Sequence, residues 1–121
     1  MEYLAKILVF IVAIEHVYIL ILEMFLWTKP RGLKAFGLTK EVAESSKVLA
    51  ANQGLYNGFL ALGLFLGLLH PNEAFGLQIQ VFLLSCILVA AIYGYFTAKK
   101  SILITQGLPA FLAIFLVFLM D

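Results

Sequence analysis

Four long apolar stretches, separated by short polar segments, make up most of the chain. The first runs from about Tyr3 to Trp27 and stops at Lys29-Pro30-Arg31-Gly32. The second covers about Val48 to Leu69 and stops at His70-Pro71-Asn72, a turn signal. The third runs from about Phe75 to Phe96 and the fourth from about Ile102 to Met120. Each is close to the ~20 residues that carry a helix across a bilayer core of about 30 Å. In hydrocarbon only helices and closed barrels satisfy the backbone, and runs this long and apolar are helices. Thr39 is placed to cap an earlier start of the second helix, so that Glu41 and Glu44 would extend it beyond the apolar part. Short connectors favour antiparallel neighbours. The expected fold is an all-α, integral-membrane, antiparallel four-helix bundle, a single transmembrane domain over residues 1–121 without internal repeats.

Composition agrees. Hydrophobic residues make up 64% of the 121 and charged residues 12%, against about 25% charged in an average soluble domain. A soluble chain of this size could not hide so much apolar surface. An ordinary cytosolic domain, a disordered chain and a nucleic-acid binder are therefore excluded. The first stretch lacks a basic start and a small-residue cleavage site, which predicts a retained span rather than a cleaved signal. Cys86 is the only cysteine, so no disulfide forms within the chain.

The net charge of +1 matters less than its distribution. Lys29, Arg31, Lys34, Lys40 and Lys47 fall in connector 28–47, and Lys99 and Lys100 in connector 97–101. The positive-inside rule puts both connectors in the cytoplasm and both termini outside. The plainest role for these cations is that topology, with attraction to anionic membrane lipids as a secondary effect.

Polar residues inside the spans carry the functional signal. An ionised side chain at mid-bilayer costs about 2.5–3.5 kcal/mol on insertion scales, so Glu15, His16 and Glu23 in the first span ask for a reason. His16 and Glu23, seven apart, share a helix face, and Glu15 points about 100° from His16. The second span adds Asn52, Gln53, Tyr56 and Asn57, with Gln53/Asn57 and Asn52/Tyr56 as i,i+4 pairs. The fourth adds Gln106, and Pro109 frees the carbonyl of Thr105 beside it. Counted from the cytoplasmic ends of an antiparallel bundle, Glu23, Asn52, Gln53 and Gln106 fall at one level, with His16 and Asn57 deeper. This predicts a polar cavity open to the cytoplasm. Apart from Lys6, near the outer end of the first span, no Lys or Arg lies inside these spans to neutralise the two carboxyl groups.

Simpler roles stand beside this one. The amides could be interhelical glue worth about 0.6–2 kcal/mol each, and the acidic–imidazole group a satisfied structural network. Two Glu and one His lack the spacing of a metal site, so no metal and no cofactor are expected. Gly54/Gly58 and Gly63/Gly67 are two small-xxx-small pairs on nearly opposite faces, suited to helix packing in one chain or to a homodimer.

The strings HVYILILEMFLW at 16–27, ANQGLYNGFLA at 51–61 and QGLPA at 106–110 resemble the bacterial four-span membrane proteins grouped as domain-of-unknown-function family thirteen-hundred-and-four. The likeness covers essentially the whole chain. It implies a multi-pass protein of the bacterial cytoplasmic membrane and supplies no activity. A looser likeness of architecture is to sterol-isomerase-like membrane proteins. The residues themselves point to binding or transport of a small amphipathic or cationic ligand. An acid/base isomerase acting on a lipid-like substrate and a structural accessory subunit are the alternatives.

Overall fold

A computed structural model describes residues 2–120. The described residues are helical and contain no strand: α1 Glu2–Met24, α2 Pro30–Phe36, α3 Lys40–Leu69, α4 Glu73–Thr97, a π-helical turn Leu103–Gly107, and α5 Leu108–Met120. Two of the helices, α1 and α4, are long and apolar enough to cross a membrane.

Local chemistry sets the boundaries. The α1 helix ends at Met24, where the N–H groups of Phe25 and Leu26 share the carbonyl of Ile21 and turns lead to Pro30. The turns therefore begin before Trp27, where the apolar run ends, because helical hydrogen bonding stops sooner than hydrophobicity does. Pro30 opens α2 with a pre-set φ and no N–H to satisfy. Gly37 closes it at φ 64°, a left-handed position that glycine takes without a Cβ penalty. The Thr39 hydroxyl accepts from the Val42 N–H at 3.2 Å and caps α3. Asn72 caps α4, its Oδ1 accepting from the Phe75 N–H at 3.1 Å.

The helices form two compact units, one comprising Ile14–Ala61 and the other the residues up to Ala13 with those from Leu62 onward. In the second of these, α3 and α4 cross tightly where a Cβ on Gly76 would strike the Gly67 carbonyl. Gln80 is buried there and donates to that carbonyl at 3.1 Å, satisfying an acceptor in the last turn of α3. The buried stripe of α4 is Gly76, Gln80, Leu84, Ile87 and Ala91. Farther along, Gly107 packs on Ala91, with its ideal Cβ 3.2 Å away. The π turn fits the local chemistry: Pro109 has no N–H to give, and the Leu108 N–H reaches back five residues to Leu103.

In the Ile14–Ala61 unit, α2 folds against the turn before it. A Cβ on the buried Gly32 would collide with the Leu26 carbonyl. The Trp27 ring lies 4.8 Å from that of Phe36, and its indole N–H donates to Ser46 Oγ at 3.1 Å. The Ser46 hydroxyl passes its own hydrogen to the Val42 carbonyl at 2.7 Å.

Candidate functional site

Within Ile14–Ala61 the α1–α3 contact is built on glycine. A Cβ on Gly54 would sit 2.7 Å from Met24 Cγ and 3.0 Å from Glu23 Cβ, so only a residue without one lets the helices come this close. Gly58, one turn on, faces Leu20 in the same way. That approach brings Asn57 within reach of Glu23, and its Nδ2 donates to Glu23 Oε1 at 2.6 Å. The other hydrogen goes to the Gln53 carbonyl at 3.1 Å, fixing the amide plane. Both side chains of the pair are half-buried.

Two turns earlier on α1, Glu15 is also half-buried, but its Oε1 is fully enclosed and has no hydrogen-bond partner. An enclosed carboxyl oxygen without a donor is costly, commonly about 1–3 kcal/mol. Neither Glu15 nor Glu23 forms an ion pair among the described residues, where the pairs are Lys6–Glu2 and Lys47–Glu44. His16 is 1% exposed and occupies the buried seam of α1 between Val12 and Ile19.

Of the residues singled out in the sequence, the structure joins Glu23 to Asn57 and encloses Glu15 and His16 nearby on α1. Asn52, Gln53 and Tyr56 are exposed and are not drawn into that cluster. The Asn52 amide turns back to the Val48 carbonyl at 2.9 Å, and the Tyr56 ring rests 5.9 Å from Phe59. The packed face of α3 is the one carrying Gly54 and Asn57, which leaves Asn52, Gln53 and Tyr56 outside it. Gln106 is half-buried on the π turn and belongs to the other unit. Gly63 and Gly67 pack there on Leu83 and on Gln80 with Gly76.

Sequence reasoning gave Tyr18 and Ser46 no role, took Trp27 only as the end of the first apolar run and Arg31 only as a topology charge, and left Gln80 outside the candidate cluster. Arg31 Nη1 donates to the Tyr18 hydroxyl at 3.2 Å, thirteen residues away across a turn, a separation with no helical period to reveal it.

A family model described as "Protein of unknown function (DUF1304)" matches residues 10–118. The "Uncharacterized protein YpaA" of Lactococcus lactis subsp. lactis (strain IL1403) is 39% identical over 116 residues, covering 94% of this chain and 96% of the relative. No solved structure matches.

Proposed function

The chain belongs to the DUF1304 family of unknown function, and from that premise we propose that it is a multi-pass protein of the bacterial cytoplasmic membrane that binds a small cationic or amphipathic ligand at Glu15. The membrane part of this reading rests on how the surface is made. Nine of the 11 phenylalanines are exposed, among them Phe10, Phe82 and Phe111, while the buried set is rich in alanine and glycine. Soluble monomers rarely expose apolar area on this scale, whereas membrane helices pack through small residues and turn large ones to lipid. In the antiparallel four-span topology, α1, α3, α4 and the π turn with α5 cross the bilayer. Both basic connectors face the cytoplasm.

The observation that carries the ligand reading is the enclosed, unpartnered Oε1 of Glu15. A carboxyl oxygen out of water calls for a proton or a cation, and the nearby seam offers no Lys or Arg. A monovalent organic cation with an apolar body matches such a group inside a membrane. Glu23 acts differently in this reading: tied to Asn57, it holds α3 against α1. Transport would add passage across the bilayer to the same binding step.

Calorimetric titration of the detergent-purified chain with tetraethylammonium tests the reading. Saturable binding is expected, weakened roughly tenfold or more by Glu15→Gln. Equal affinity in the two proteins would defeat the assignment. Uptake of the same cation into proteoliposomes separates a carrier from a binder.

A further inference from the structure

The groove between the turn side of α1 and α2 gathers two of the connector cations, Arg31 and Lys34, in a defined pocket, which the topology alone does not require and the Glu15 reading does not use. It has a volume of about 570 Å³ and is lined by Tyr18, Pro30, Arg31, Lys34 and Ala35. Arg31 and Lys34 are three apart on α2 and so share one face of it. Arg31 spends one N–H on Tyr18, leaving most of its donor fork for another acceptor. Neither cation is paired with a carboxylate among the described residues. Their platform is firm, because Gly32 seats α2 against the Leu26–Trp27 backbone and Phe36 packs on Trp27. Continuing from Tyr18 along α1, Ile14 and Ile21 form an exposed apolar stripe at four- and three-residue spacing, 46% and 39% exposed.

We propose that this groove is a binding site for an anionic phospholipid, with Arg31 and Lys34 on the phosphate and the Ile14–Tyr18–Ile21 stripe against the acyl chain. A guanidinium offers paired N–H groups matched to phosphate oxygens, and an ammonium beside it adds a second charge. The adjoining stripe is what a free anion would have no use for, and it commits the site to a lipid. Tyr18 is a positioning residue: its hydroxyl accepts from Arg31 and holds the guanidinium over the groove. The inference rests on the membrane reading above and is independent of the ligand at Glu15.

The test uses the full chain, purified in an uncharged detergent and exposed to equal amounts of phosphatidylglycerol and phosphatidylcholine, with retained lipid measured by mass spectrometry. Phosphatidylglycerol is expected to be retained roughly tenfold over phosphatidylcholine. Lys34→Gln, which breaks no ion pair among the described residues, should remove most of the preference, and Arg31→Gln the rest. Lys99→Gln with Lys100→Gln should leave it intact. Glycerol phosphate should fail to displace the bound lipid, and displacement at matched concentration would assign the site to a free phosphate and overturn the lipid commitment. Equal retention of the two lipids, or equal loss of preference in the Lys99/Lys100 variant, would also overturn it. A chain that stays soluble once detergent is removed would overturn the membrane reading instead.

Discussion

Asn57 spends both amide hydrogens, one on Glu23 Oε1 and one on the Gln53 carbonyl, so its side chain is held by its own helix and by its neighbour. Asn57→Ala leaves the Glu23 carboxyl half-buried without that donor, and is expected to cost roughly 1–2 kcal/mol. Glu23→Gln keeps an acceptor oxygen in place and should cost less. Unfolding of each variant in mixed micelles measures this, and a double-mutant cycle should show clear non-additivity. Additive losses would mean that the 2.6 Å contact contributes nothing. The sequence showed Glu23 and Asn57 to be polar residues in apolar spans. It could not pick Asn57 out from Asn52, Gln53 and Tyr56, because polar groups on neighbouring faces of one helix look alike until the partner helix is placed. Gly54 makes that choice, since the side on which the backbone can be approached closely is the side that packs. His16 was better signposted. It continues the three- and four-residue spacing of Val9, Val12 and Ile19, all buried.

The glycines of α3 differ in what they meet, which gives an order to the cost of replacing them. A Cβ on Gly67 would lie 3.0 Å from the Gly76 carbonyl, a backbone atom that cannot swing aside. One on Gly54 would meet Glu23 Cβ and Met24 Cγ near the root of each side chain. On Gly58 and Gly63 the obstacle is the movable end of Leu20 or Leu83. Alanine at 67 or 54 should therefore destabilise by about 1–3 kcal/mol, and alanine at 58 or 63 by distinctly less. Thermal unfolding in one detergent ranks the four, and equal losses would contradict the packing described. The glycine spacing was legible, as was the opposition of the two pairs on the helix. Which pair meets which neighbour was not, because small-xxx-small spacing names a close approach and not its partner. Pro109 likewise announced a break in backbone hydrogen bonding, but not that a five-residue π turn would absorb it.

The whole chain inverts the size rule of a soluble core. Alanines 5, 13, 43, 50, 61, 91, 110 and 113 are inside, and most phenylalanines are outside. A core of alanines buries little apolar area per residue, so in water the hydrophobic effect would favour turning the phenylalanines inward. In lipid that drive disappears, and close backbone packing decides instead. Composition alone made the membrane reading legible, but the inversion needed coordinates, since a periodic apolar helix does not declare which residue sizes face its neighbours. The α3 helix adds a constraint of length. Its 30 residues extend about 45 Å, beyond a core of about 30 Å, so under the proposed topology the turns carrying Glu41, Glu44 and Lys47 would project into the aqueous layer while Gly63 and Gly67 would lie within. Cys86 gives the sharpest test of these arguments together. It is exposed on α4, 13 residues after Glu73 and 11 before Thr97, and so close to mid-helix. In water an exposed thiol reacts readily with a charged maleimide, because the thiolate forms and the reagent arrives. At mid-bilayer the charged reagent is excluded by the hydrocarbon, so it does not arrive. In lipid nanodiscs the unaltered chain should therefore label far more slowly at Cys86 than after denaturation in sodium dodecyl sulfate. A Ser101→Cys variant, at the basic connector, should label promptly in the nanodisc. Prompt labelling of Cys86 in the intact nanodisc would place α4 in water and refute the membrane reading for this helix.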